Sequence, residues 1–258
     1  VLIIVPSSET KRPPPDEGHP VALDALSFQS LAPIRARILT ALIATSRRPD
    51  ALKRLLCGPS LAGEVERNAR LLDLAVRPVL EVYTGVVHEG LAVATLSPAA
   101  TARAAGEVVI ASALWGLLRP ADEIPPYRLN ICSHLVRMGD LEPAWRKVLP
   151  RALATAAGPR GVIFDTRAAS YQALGLPLGL GDRTVVMRVN QTAPDGRRIG
   201  TFLAKQLRGQ ALRHLLESGA DPEDPQALAD VLAERWPTQL DPPARPGKPW
   251  TATLSSPA

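Results

Sequence analysis

Apolar and polar positions divide the chain into short, wholly apolar runs and longer stretches whose apolar residues recur every three or four places. Val1–Val5, Val108–Ala111 and Gly161–Asp165, the last apolar up to its closing Asp165, are of the first kind. Such a run, closed by polar or turn-forming residues, is what a strand buried on both faces requires. Val79–Tyr83, interrupted by Glu81, also reads as a strand and ends at Thr84-Gly85. Ile34, Ile38, Leu42 and Thr45 recur at helical spacing, which predicts a helix from Pro33 to Ser46. Further helices are predicted over 50–56, 61–74, 97–105 and 141–157. Ser97 and Pro98 supply the cap and first position of the third of these. Arg183–Asn190 and Arg198–Ala204 read as paired strands, with Asp195-Gly196 as the turn signal in their connector. Leu212, Leu215 and Leu216 form the buried face of the next helix, and Asp224-Pro225 opens a last one running to Trp236.

Strands separated by helices, with a late hairpin, predict an α/β or α+β fold with a mixed sheet. One domain is expected over residues 1–240, and residues 241–258, rich in proline, are expected to form a flexible tail. The 258 residues contain 26 prolines, about twice the usual share, clustered at 13–20, 120–126 and 237–257. That clustering marks rigid loops rather than general disorder.

The formal net charge is +5 and the pI about 9.6. Both fit an acidic partner such as nucleic acid or a phosphorylated metabolite. Cys57 and Cys132 form neither a disulfide framework nor a metal-ligand pair by spacing, which points to a reducing cytoplasm. No apolar run reaches membrane-spanning length, and Val1–Val5 is too short for a signal peptide.

The stretch from Glu107 to Leu135 concentrates the candidate chemistry. A buried strand ends at Ser112, Gly116 permits a sharp change of direction, and Arg119 and Arg128 carry guanidinium forks suited to carboxylate or phosphate. The alternative is that both arginines pair with local acids such as Asp122 and Glu123. Lys11 follows the first strand in a small polar loop without the glycines of a P-loop. Asp165, Arg167 and Tyr171 follow a later strand, and Lys205 and Arg208 come after the expected hairpin. Sites in open α/β sheets lie at strand ends, so these groups are candidates for one recess. Within it, Lys11 or Lys205 would act as acid/base or as an imine-forming amine, and Asp165 would orient or deprotonate. Cys132 would be a nucleophile only with a stabilised thiolate; otherwise it is a small buried filler and His134 a loop residue. His19, His88, His134 and His214 lack metal-ligand spacing, so neither metal nor cofactor is expected.

Several short words, in order, resemble the YaaA family of peroxide-stress proteins. They are Ser8-Glu9-Thr10-Lys11, Val82-Tyr83-Thr84-Gly85, Ser112 to Pro120, Pro126-Tyr127-Arg128-Leu129 and Ala204-Lys205 with Arg208-Gly209; Asp165 to Tyr171 fits the same pattern. The resemblance runs from residue 1 to about 236. It implies a cytoplasmic bacterial protein linked to hydrogen peroxide stress and to limiting iron damage. It further implies a mixed α/β domain with a basic cleft, a helix-hairpin-helix-like segment near Leu56 to Leu72, and binding of double-stranded DNA. No settled catalytic activity comes with it. The departures are Cys132 and His134, where relatives have a glycine and a basic residue, and Thr10, where many have glycine or alanine. The expected anion or DNA contacts are Lys11, Ser112, Arg119, Tyr127, Arg128, Arg167, Lys205 and Arg208. The alternative function is an enzyme acting on a small anionic or nucleotide-like metabolite.

Overall fold

Leu2–Pro6 is buried at every position, so it takes the middle of the sheet, where both faces are covered. In the computed structural model, which describes residues 1–190 and 200–256, seven strands are hydrogen-bonded side by side. Their order is Thr238–Asp241, Trp250–Leu254, Thr184–Val189, Ile163–Asp165, Leu2–Pro6, Val108–Ser112 and Gly116–Leu118. The five inner strands are mutually parallel, and the two edge strands run antiparallel to their neighbours. The expected mixed α/β sheet is therefore present.

Parallel pairing brings the carboxyl ends of Leu2–Pro6, Val108–Ser112 and Ile163–Asp165 to one edge. From Leu2–Pro6 the chain crosses to Val108–Ser112 on one side. From Ile163–Asp165 it proceeds to Thr184–Val189 on the other. The gap between these adjacent strands is a topological switch point, where loops leave in opposite directions and open a crevice.

Helix signals in the sequence hold where they rest on caps and periodicity. Ala32–Ser46 buries Ile34, Ile38 and Leu42. Pro98–Glu107 starts at Ser97, whose hydroxyl accepts from the Ala100 amide, and Pro225–Ala233 starts at Asp224 in the same manner. Gly116 adopts φ +73°, and a Cβ there would lie 2.6 Å from the Trp145 ring, so the turn after Ser112 requires glycine. Arg35 is buried and donates to the carbonyls of Trp115 and Leu117, 2.7 and 2.6 Å away, pinning that turn to the first helix.

Several expectations are corrected. Val79–Val82 is a helical turn, not a strand. A helical turn buries Val79 and Val82 and leaves Glu81 exposed, whereas a strand would put Val79 and Glu81 on one face. The helix expected over 61–74 is Ala62–Asn68 followed by the 3-10 turn Leu71–Asp73; the Asn68 side chain is diverted to the backbone of Arg128. The helix expected over 141–157 is split into Leu141–Arg146 and Leu149–Ala157. Pro150 stands in the first turn of the second, a position that needs no amide hydrogen.

The expected hairpin is absent where it can be followed. Thr201–Ala204 opens the helix Thr201–Ser218, and Thr184–Val189 pairs instead with Ile163–Asp165 and Trp250–Leu254. The Asp195-Gly196 turn lies outside the described residues. The expected tail is also replaced: Trp250–Leu254 inserts into the sheet between Thr184–Val189 and Thr238–Asp241. Its buried Ala252 and Leu254 and its hydrogen bonds on both edges outweigh the surrounding prolines.

Candidate functional site

The switch point opens into a cleft of about 560 Å³. One wall is the loop after the central strand, Ser7 to Thr10. Opposite it stand Thr166, Ala168, Ser170 and Tyr171, which follow the next parallel strand. Gly85, Val86, Val87 and His88 close one end, and Arg128, Lys205 and Arg208 add their side chains. The loops meet closely: a Cβ on Gly85 would lie 2.1 Å from the Ser8 hydroxyl oxygen.

Lys205 and Arg208 sit three residues apart on Thr201–Ser218, hence on one face of it. That helix is seated by a backbone-to-backbone crossing with Val86–Leu91. A Cβ on Gly209 would fall 2.1 Å from the Val87 carbonyl oxygen, and one on Gly90 would fall 2.6 Å from that of Gln206. Neither Lys205 nor Arg208 has an ion-pair partner among the described residues, and the buried Nε of Arg208 has no hydrogen-bond partner. Burial, and then the charge of Arg188, holds the Arg208 pKa below its ordinary value.

Arg128 differs. Its guanidinium lies 2.8 Å from a Glu9 carboxylate oxygen and 3.8 Å from one of Glu64. Asn68 holds its backbone, accepting from the Arg128 amide at 2.9 Å and donating to its carbonyl at 2.8 Å. Asn130 also donates to Glu9. Arg128 thus reaches the cleft already paired with acid.

Lys11 lies against the cleft wall rather than on its open surface. Its ammonium nitrogen donates to the Ser8 carbonyl at 2.7 Å and stands 4.1 Å from the centre of the Tyr127 ring and 5.4 Å from that of Tyr83. Among the described residues no carboxylate lies within ion-pair distance of it. Its pKa is pushed down to about 7, first by burial and then by the Arg128 charge, with Glu9 and Glu64 opposing. Beneath it the Tyr83 and Tyr127 hydroxyls are 3.0 Å apart, and Tyr127 reaches the Ser112 hydroxyl at 2.7 Å. Burial raises both phenol pKa values.

His88 was not singled out by its spacing, yet it is buried in the cleft wall. Its Nε2 lies 3.0 Å from the Pro6 carbonyl, so Nε2 carries the hydrogen and Nδ1, which has no partner, is a free acceptor. Burial chiefly, with the nearby Lys11 charge, pushes its pKa down to about 4, although the bond to Pro6 raises it. The ring is neutral at physiological pH.

The remaining sequence candidates are placed otherwise. Arg119 donates to the Gly106 and Val108 carbonyls, at the amino end of Val108–Ser112, and stacks near Phe28; it is on the opposite edge of the sheet from the cleft. Asp165 and Arg167 form a fully buried bidentate pair, with contacts of 2.7 and 2.9 Å. Arg167 spends its other bonds on the Tyr171 and Gly175 carbonyls, so this pair holds the loop rather than facing a ligand. Ser112 is fully buried and accepts from the Leu114 and Trp115 amides. Cys132 is exposed, not a buried filler. His134 is bonded to Asp140 at 3.0 Å. Among the described residues no group of three or more His, Cys, Asp or Glu could hold a metal ion, and no helix is long and apolar enough to cross a membrane. Asn68, His88 and Gly90 escaped the sequence reading as site residues. Gly85 and Gly209 carried a trace, each as part of a family word.

The fold and site define an open α/β protein with polar groups gathered at the carboxyl edge of its parallel strands. A family model described as Peroxide stress protein YaaA matches residues 1–239. A UPF0246 protein of Streptomyces coelicolor is 34% identical over 255 residues, covering 97% of this chain and 96% of its own. Another from Corynebacterium efficiens is 35% identical over 236 residues, 90% and 91% of the two chains. The chain belongs to the peroxide stress protein YaaA family.

Proposed function

We propose that the cleft binds a small phosphate-bearing, nucleotide-like anion, and that within a family linked to peroxide stress this recess is the working site. The observation that carries the reading is the pair Lys205 and Arg208. Both face the cleft, neither is matched by an acid among the described residues, and Arg208 keeps a buried Nε–H without an acceptor. A buried donor left unpaired is costly, and an anion removes that cost. The volume of about 560 Å³ suits a ligand of nucleotide size. Neutral His88 adds an acceptor for a hydroxyl or amine on the same molecule.

Double-stranded DNA is the second reading. It is favoured by the exposure of Lys205 together with the net charge of +5. The test is thermal unfolding with inorganic phosphate, nucleoside monophosphates and duplex DNA, on the parent and on Lys205→Ala/Arg208→Ala. A small phosphate ligand at 100 times its Kd is expected to stabilise by about 2.7 kcal/mol. The double variant loses that shift and melts near the parent temperature without ligand. Equal shifts in parent and variant refute the site. Stabilisation by DNA alone, falling steeply with salt, selects the second reading.

A further inference from the structure

We propose that a second groove, which shares no residue with the cleft, docks an acidic segment of another protein whose aliphatic side chains cover the groove floor. Three hollows of about 270, 490 and 640 Å³ adjoin one another. The first two share Arg37 and Met138, and the last two share Ser30, Lys147 and Val148, so they form one continuous groove. None of its residues lines the cleft. Its walls come from Ala32–Ser46, from the turn joining His134–Leu135 to Gly139–Asp140, and from Leu141–Arg146 and Leu149–Ala157.

Arg37, Arg137, Lys147 and Arg151 rim this groove, and all four are exposed. Among the described residues none of their side chains has an ion-pair or hydrogen-bond partner. The carboxylates on the same elements are already engaged, Asp140 with His134 at 3.0 Å and Glu142 with Arg146. The unmatched positive charge calls for an anionic occupant. Arg137 has a φ of +60°, in the left-handed region that glycine adopts freely and arginine does not. Its turn is pinned to the first helix, since the Val136 amide donates to the Thr45 hydroxyl at 3.0 Å. A backbone that favours glycine thus carries an exposed cation at the groove edge. The floor is aliphatic, formed by Val136, Met138 and Val148, with Leu178, 60% exposed, at one end. Among the described residues no aromatic side chain lines any of the three hollows. Single-stranded nucleic acid stacks its bases on aromatic rings, and a phosphodiester backbone has no aliphatic side chains to cover such a floor. A peptide with acids beside leucine or valine supplies both the charge and the apolar cover, which sets a protein segment above a nucleic acid.

The full chain is titrated with two short fluorescent peptides, one alternating glutamate with leucine and one alternating glutamate with serine, and with single-stranded and duplex DNA. The expected result is saturable binding of the glutamate–leucine peptide, tighter than that of the glutamate–serine peptide and weakened by salt. Arg37→Ser/Arg137→Gly weakens it about tenfold, the size of two exposed ion pairs together. That variant keeps or exceeds the parent melting temperature, because glycine adopts the turn freely, so lost binding is not lost folding. Lys147→Ser/Arg151→Ser, which leaves the turn untouched, repeats the loss from the other half of the rim. Leu178→Ser lowers affinity for the glutamate–leucine peptide and leaves that for the glutamate–serine peptide unchanged. Equal affinity for the two peptides, unchanged affinity in both double variants, or no binding of either peptide overturns the proposal. DNA that displaces the peptide from the parent and loses affinity in the same variants assigns the groove to nucleic acid and overturns it as well.

Discussion

Gly209→Ala is expected to destabilise the protein, against the ordinary rule for its position. Gly209 lies inside the helix Thr201–Ser218, where replacing glycine by alanine normally gains about 1 kcal/mol of helix propensity. Here the new Cβ would stand 2.1 Å from the Val87 carbonyl oxygen, 2.7 Å from the Leu91 amide nitrogen and 2.8 Å from the Gly90 carbonyl carbon. A carbon–oxygen contact settles near about 3.3 Å, so the helices must separate by about 1 Å. All three obstacles are backbone, and no side chain can rotate away. Overpacking of this severity against backbone costs about 2–4 kcal/mol, reaching beyond the usual range of about 1–3 kcal/mol. Subtracting the propensity gain leaves a net loss of about 1–3 kcal/mol. For a chain of this size that lowers the melting temperature by about 3–10 °C. The assay is thermal unfolding followed by circular dichroism, with phosphate binding measured on the same sample. Separation of the helices also moves Lys205 and Arg208 away from Ser8 and His88, so the phosphate shift falls with stability. A variant that melts at or above the parent temperature would refute the close crossing and, with it, the placement of both cations.

Two further outcomes follow from buried charge. Asp165→Asn leaves the fully buried Arg167 without its counter-charge and is expected to cost about 3–5 kcal/mol in urea unfolding. Asp165→Leu combined with Arg167→Met recovers part of the loss, and a neutral Asp165→Asn would show that the pair is not buried as described. His88 governs acid stability. Its folded pKa near 4 lies below the ordinary 6.5, so between those values the unfolded chain takes up a proton that the folded chain refuses. Stability therefore falls as pH drops from about 6.5 to 4, by at most about 3 kcal/mol. His88→Asn should flatten the stability profile in that window; an unchanged slope would remove His88 as its source.

Much of the scaffold was legible in local pattern. Val1–Val5, Val108–Ala111 and Gly161–Asp165 announced buried strands because a strand enclosed on both faces is apolar except where a polar side chain finds a partner, as Asp165 does at its end. Ser97-Pro98 and Asp224-Pro225 announced helix starts because the first amides need an acceptor and tolerate proline. Local pattern failed where four residues are too few to separate a turn of helix from a strand, as at Val79–Val82, and where pairing comes from a distant segment, as when Trp250–Leu254 takes the place expected for Arg198–Ala204.

The candidate site divides along the same line. Residue type alone marked Lys11, Arg128, Lys205 and Arg208 as cations near strand ends. It could not tell which were free, because neutralisation depends on partners remote in the chain: Arg128 meets Glu9 across 119 positions, whereas Arg119 caps carbonyls at the far edge of the sheet. His88 carried no motif; its role as acceptor follows from one bond to the Pro6 carbonyl and from burial. Sequence therefore determined which segments fold and which charges exist. The parallel order of the strands decided which of those charges share a recess, because only chain reversal through space sets neighbours that covalent order leaves far apart.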